Sequence, residues 1–278
     1  MKRLLSIELQ KIWKNKASRV LTITYFVLLT FLSLIASIKF DIGPIQINLA
    51  EQGIFNFPFI WHFNTYFAAL LKIFLAVVIV SMMANEYSYG TLKQNLIDGM
   101  SKKEFVMSKF LTVVLFSGIS TLFVFIVSLI LGLIFSDFTE IGIIFSDMEY
   151  LLAYFVKLTG FFSFCLFLGI LIKKSAFALG FLFIWNIIEG IIIGILNFKI
   201  FPKSETAHNF TQFLPLESMS NLLIEPITRL SFVKTIGTQV GIENMKDYAV
   251  HWYSLAIVIA WTFIFILTSN YIIRKRDL

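Results

Sequence analysis

The chain has 278 residues, 58% of them hydrophobic and only 14% charged, with a mean hydropathy of +0.84 and a formal net charge of +6. Soluble domains average about 45–50% apolar and about 25% charged residues, so these figures exclude a soluble globule and a disordered chain and indicate an all-α integral membrane protein. One cysteine, Cys165 in an apolar run, excludes a disulfide framework within the chain and reads as a small buried hydrophobe.

The first segment, residues 1–19, is a basic leader. At 100° per residue Leu5, Leu9, Ile12 and Trp13 share one side while Arg3, Lys11 and Lys14 fall opposite, which predicts an amphipathic helix lying in the membrane interface. Six apolar stretches then match the length needed to cross a hydrocarbon core of about 30 Å. They are Val20–Ile38, Thr65–Met83, Val106–Phe135, Leu151–Ile172, Ala176–Phe198 and Val250–Ile273. The first has too long a polar leader and apolar run for a signal peptide, and no small-residue cleavage site follows it. Lys173-Lys174-Ser175 alone separates the fourth from the fifth, a tight helical hairpin.

Lys and Arg are unevenly shared between the two sides. Fifteen of the 23 fall on the leader, the second-to-third loop, the short hairpin and the C-terminus; six fall opposite, and Lys72 and Lys157 lie within spans. The third-to-fourth loop has Asp137, Glu140, Asp147 and Glu149 with no basic residue. The distribution predicts a multi-pass protein of the plasma (inner) membrane with both termini cytoplasmic. The basic excess is thus a topology signal, with no role for nucleic acid.

The cytoplasmic segment, residues 84–105, is more ordered than a connector requires. Leu92, Leu96 and Ile97 recur at helical spacing after Gly90-Thr91, Gly99 stops the helix, and Ser101 with Glu104 forms a capping box for the next one. Glu86 with Gly90-Thr91-Leu92, followed by Asn95-Leu-Ile-Asp-Gly-Met-Ser101-Lys102-Lys-Glu104-Phe, resembles the segment after the second span of ABC type-2 exporter permeases. The resemblance implies a half-transporter, paired with an identical or paralogous permease, whose dimer engages two ATPase subunits through this coupling helix. ATP and Mg would belong to those subunits, and this chain would hold no cofactor of its own. Thr91, Leu92, Asn95 and Leu96 are the expected docking surface, with Glu86 anchoring the helix to the membrane end of the second span.

The external loop, residues 199–249, is punctuated by Pro202, Pro215 and Pro226, with apolar pieces Met219–Ile224 and Leu230–Ile236 too short to span. Re-entrant or interfacial helices fit these pieces, and so does an ordinary surface loop. No glycine is followed by lysine, so the chain has no Walker A loop and any ATP is bound elsewhere. His62, His208 and His251 lack partners at metal-ligand spacing and read as interfacial polar residues, with no metal expected.

Charges inside a membrane are costly, which makes Lys72, Lys157 and Glu189 informative. Lys157 can snorkel outward. Glu189, Asn186, Asn197, Gly190 and Gly194 share one side of the fifth span, a polar and small face unsuited to lipid. That face either lines a cargo path with Lys72 as its complementary charge or permits close helix packing through Gly190 and Gly194. Lys72 and Glu189 are also candidates to neutralise each other. Within the resembled family the second and fifth spans flank the central path, which implies Lys72, Asn186, Glu189 and Asn197 as path residues. The sequence therefore predicts the non-catalytic membrane subunit of an ATP-driven exporter. The alternatives are an ATP-independent transporter or channel using Lys72 and Glu189, and a non-transporting membrane enzyme or scaffold.

Overall fold

A computed structural model describes residues 2–35, 39–42, 45–48, 53–201, 205–230, 233–234 and 246–276. The leader forms α1 (Lys2–Lys14), and the chain turns at Asn15, whose side chain accepts from the Ser18 amide to start α2 (Lys16–Ile35). A short antiparallel ribbon follows, β1 (Lys39–Ile42) on β2 (Ile45–Asn48), with Lys39 opposite Asn48. Next come α3 (Phe59–Leu70), α4 (Lys72–Ser88), α5 (Thr91–Ile97) and α6 (Lys102–Phe135). The remaining helices are α7 (Ile141–Ile144), α8 (Glu149–Ile172), α9 (Ser175–Ile195), α10 (Glu205–Thr211), α11 (Pro215–Ser220) and α12 (Trp252–Lys275). A π-helical turn, Leu196–Ile200, prolongs α9, and a 3-10 turn, Ile227–Arg229, follows α11.

Among the described residues, four helices are long and apolar enough to cross a membrane: α6, α8 together with α7, α9 with its π turn, and α12. The bent pair α3 and α4 makes a fifth if it counts as one span. This corrects the continuous second span read from Thr65–Met83. The rod breaks at Leu71 with a 46° bend and begins earlier, at Phe59. The predicted first span corresponds to α2, which opens with Lys16 and Arg19 and is not among the apolar five. Its predicted end at residues 36–38 lies outside the described residues, as do Pro202, Lys203 and most of Leu230–Ile236.

Helix α8 is the hub. It is apolar all round, and a helix without a polar face belongs in the interior. It packs against α3, α4, α6, α9 and α12, and most of its side chains are buried. Two glycines bring neighbours close. A Cβ at Gly160 would sit 2.7 Å from Val258 Cγ1 of α12, and one at Gly169 would sit 3.0 Å from Met83 Cβ of α4. Three buried hydroxyls tie α2, α6 and α8 together: Tyr25 and Tyr154 are 2.8 Å apart, Ser120 and Tyr154 are 2.8 Å apart, and Tyr25 and Ser120 close the triangle. By contrast α9 buries only Ala178, Leu182 and Glu189, and nothing lies within 4 Å of a Cβ built on Gly190 or Gly194. Within one chain, then, the small face of α9 is not a packing seam.

These two classes of glycine are separable by experiment. Gly160→Ala is expected to lower the unfolding temperature of the purified protein, with a cost of about 1–3 kcal/mol for overpacking against Val258. Gly190→Ala, in open space, is expected to be neutral or slightly stabilising. Equal effects at both positions would contradict the α8–α12 seam.

Candidate functional site

The local structure of residues 84–105 follows from its punctuation. Gly90 precedes α5 with φ +67°, a left-handed conformation that costs glycine little, and Gly99 leaves the helix with φ +97°. Ser101 Oγ accepts from the Glu104 amide while the Glu104 carboxylate accepts from the Ser101 amide at 2.9 Å, so the capping box is formed. A seven-residue helix is thereby held between the ends of α4 and α6.

What fixes its position is a buried ionic network. Lys109, on α6 and without solvent exposure, donates to Glu8 of α1 and Glu86 of α4, each at 2.5 Å. Lys11 of α1 donates to Glu86 at 2.8 Å. The other oxygen of Glu86 accepts from the Thr91 hydroxyl at 2.5 Å and from the Asn95 amide at 3.4 Å, both on α5. Two carboxylates and two ammoniums balance in charge, and one of them, Glu86, touches three other helices. A buried carboxylate is tolerable only when its lone pairs are satisfied in this way.

That geometry changes two sequence readings, the docking face and the place of Lys102. Thr91, Leu92, Asn95 and Leu96 face the membrane domain: Leu92 is buried, Leu96 packs on the core, and Thr91 and Asn95 are spent on Glu86. The outward face of this segment is instead Tyr89, Lys93, Gln94 and Ile97, with Tyr89 74% and Ile97 75% exposed. Lys102 does not join that face; its ammonium donates to the carbonyls of Arg274 (3.1 Å) and Arg276 (2.9 Å). On α1 the buried side is Glu8 and Ile12, whereas Trp13 is 56% exposed. Ile12 belongs to the apolar side that the sequence indicates, and the buried carboxylate of Glu8 is an additional tether that the apolar pattern does not show. Lys109, counted as a cytoplasmic topology residue, is likewise a structural cation.

Next to the network a groove of about 340 Å³ runs between α1 and the α4–α5 junction, lined by Lys11, Lys14, Asn15, Asn85, Glu86 and Tyr89. The residue after α12 is anchored to α8 and α4. Arg276 donates to the Ile170 carbonyl (2.6 Å), the Leu171 carbonyl (3.0 Å) and the Tyr87 hydroxyl (3.0 Å), satisfying groups at the C-terminal end of α8.

Among the intramembrane residues, Glu189 is buried and fully engaged. Its carboxylate accepts from the Trp185 indole at 2.5 Å and from the Leu216 and Glu217 amides at 3.0 Å, capping the start of α11. Lys157 donates to the Ser220 carbonyl at the other end of that helix, 3.4 Å away. Lys72 lies 4.4 Å over the Phe161 ring and lines a cavity that also includes Asn186. Lys72 and Glu189 are therefore not an ion pair, and the structure joins Lys72 with Asn186 but not with Asn197, which sits exposed in the π turn.

His62 also differs from expectation. It is buried, stacked 4.3 Å from Tyr150, with Nε2 donating to the Ile224 carbonyl at 2.7 Å and Nδ1 accepting from Arg229 at 3.0 Å. Arg229 in turn lies over Phe59 and Tyr248, so this cluster pins Ile224, Arg229 and Tyr248 to α3 and α8. His208 is exposed and His251 is half-buried against Asp247, and among the described residues no group of His, Cys, Asp or Glu could hold a metal. Outside the spans, burial and the nearby Glu189 charge raise the Glu217 carboxyl above its ordinary value.

Removing Lys109 strands two buried carboxylates. Lys109→Met is expected to cost about 3–5 kcal/mol of stability, and Lys109→Met with Glu8→Gln is expected to recover part of it; thermal unfolding of the purified variants checks both. Glu217 gives a pH signature. Its folded-state pKa is raised, so its ionisation weakens the fold as pH climbs above the unfolded carboxylate value of about 4.3. Glu217→Gln should accordingly raise the unfolding temperature at pH 8 and leave it unchanged at pH 4.

Comparison with known proteins bears on the chain as a whole. It is 37% identical over 79 residues to the uncharacterized protein YhcI of Bacillus subtilis (strain 168), a stretch covering 27% of this chain. The chain spans only a quarter of that relative's length (25%). Residues 45–278 match a family model described as a protein of unknown function (DUF2705), and the chain belongs to that family.

Proposed function

We propose that this protein is the membrane-spanning permease subunit of an ATP-driven exporter. Its six spans would be α2, the bent α3–α4 pair, α6, α8, α9 and α12, with both termini cytoplasmic in the plasma membrane. One observation carries the reading. A short helix, α5, is tied through Thr91 and Asn95 to Glu86 of the buried ionic network, yet it presents exposed Ile97 with Lys93 and Gln94 on its free side, next to exposed Tyr89 at the end of α4. Large apolar side chains held rigidly at a polar surface fit a partner surface.

In this scheme the partner is a separate ATPase, two copies of which serve a dimer of permease chains, and ATP and Mg are bound there. Movement of α5 is transmitted through Glu86 and Lys109 into α4, α6 and α1 together, because none of the three can shift without breaking the shared network. Alternating access then releases cargo along a path near α4 and α9. The competing reading, an ion pathway using Lys72 and Glu189 without ATP, is weakened by the engagement of Glu189 in capping α11.

Affinity purification of the tagged chain from its native host tests the proposal. A Walker-motif ATPase is expected to co-purify with the native chain and to be lost from Lys93→Glu/Ile97→Glu, both substitutions being on exposed positions that leave the unfolding temperature unchanged. Absence of any ATPase, together with ion conduction by the reconstituted chain alone, would transfer the assignment to the ATP-independent reading.

A further inference from the structure

The break at Leu71 leaves Lys72 in the first turn of α4, where the helix dipole disfavours a cation. Among the described residues the Lys72 ammonium has neither an ion pair nor a hydrogen bond; its close neighbour is the face of Phe161. It borders a cavity of about 380 Å³, within the range of small-molecule sites. Asn186 supplies a polar wall, while Phe161, Leu182 and Phe183 supply apolar ones. Phe183 and Asn186 are both exposed, so the cavity opens along the outward side of α9.

The acidic groups nearby do not neutralise Lys72. Both oxygens of Glu189 are held by the Trp185 indole and the two amides of α11. The Glu217 carboxyl is shifted towards its neutral form by burial and by Glu189. Lys157 is directed at the Ser220 carbonyl and brings no anion to Lys72. A cation in apolar surroundings, with an adjacent amide and aromatic walls, lacks one thing: an anion that brings its own apolar body.

We propose that this cavity binds an amphiphile carrying a single anionic group, the anion on Lys72 and the Asn186 amide and the apolar chain along Phe161 and Phe183. A carboxylate and a phosphate ester meet the same requirement, whether on a free amphiphile or on a lipid. Naming the bound molecule as cargo rests on the exporter reading; binding itself requires only this chain.

The test uses the purified full chain in a neutral maltoside detergent, with radiolabelled laurate as the probe and dodecyl phosphate, dodecanol and dioleoylphosphatidylglycerol as competitors. Saturable laurate binding is expected, displaced by dodecyl phosphate and about tenfold less well by dodecanol, the difference one charge-assisted contact makes. Lys72→Met is expected to weaken binding about tenfold or more, and Lys72→Arg to retain most of it. Lys174→Met, on the exposed hairpin, serves as the unaffected control. The unfolding temperature of Lys72→Met, matched to the native chain, separates lost binding from lost folding. If laurate fails to bind but labelled phosphatidylglycerol binds in a Lys72-dependent manner, the proposal stands with a lipid as the source. Equal competition by dodecanol, or native affinity in a folded Lys72→Met, overturns it. The ATPase co-purification above is scored separately, so a chain that binds the amphiphile without an ATPase retains the site and loses only the exporter.

Discussion

The structure depends on one ammonium group. Lys109 sits without solvent exposure between Glu8 and Glu86, and the free energy of holding those three charges away from water is recovered only if α1, α4 and α6 approach together. Coulomb attraction at such distances is strong in an apolar setting, but so is the desolvation penalty, and the balance is favourable only for the assembled arrangement. Apolar packing alone would tolerate α1 sliding along the membrane surface. The ionic network does not, since a shift of one helical turn would leave carboxylates facing hydrocarbon. Thr91 and Asn95 extend the same logic to α5, so the end of the molecule that carries α1 and α5 is specified by polar geometry and the interior around α8 by apolar area.

Around α11 the design is repeated with different chemistry. Glu189 and Lys157 grip opposite ends of α11, a carboxylate on the amides at its start and an ammonium on a carbonyl at its finish, which is the arrangement that a helix dipole favours. Six residues could not hold a helix alone in such a place. Wedged among α8, α9 and α12, this short element turns two charges on apolar helices into a support for the segment that follows α9. The His62, Tyr150 and Arg229 cluster then fixes Arg229 of that segment to α3 and α8.

Apolar runs and local punctuation were legible in the sequence, because both depend on residues close together in the chain. The capping box at Ser101 and Glu104 and the glycines that bound α5 are of this kind. Glu86 as an anchor was legible through a family likeness. What stayed hidden depends on partners far apart: Glu8 lies 101 residues from Lys109, and Glu189 lies 27 from Leu216. A helical wheel scores Glu8 as polar and places it towards water, since nothing in residues 1–19 announces a buried ammonium opposite. The inward turn of Thr91 and Asn95 was hidden for the same reason. The bend at Leu71 has no proline or glycine to mark it, so Phe59–Ser88 reads as an ordinary apolar stretch.

The hydroxyl triangle of Tyr25, Ser120 and Tyr154 carries a consequence of its own. Three oxygens share three edges and own three hydroxyl hydrogens, so every oxygen can donate once and accept once around a closed circuit. Such a ring has two equivalent senses of circulation and no free end. It can reverse direction internally, but it hands no proton to a neighbour on either side. Polar atoms in the middle of a membrane protein commonly invite the thought of a conduit. Here they close on one another, so that α2, α6 and α8 are joined by hydrogen bonds with each hydroxyl satisfied inside the ring.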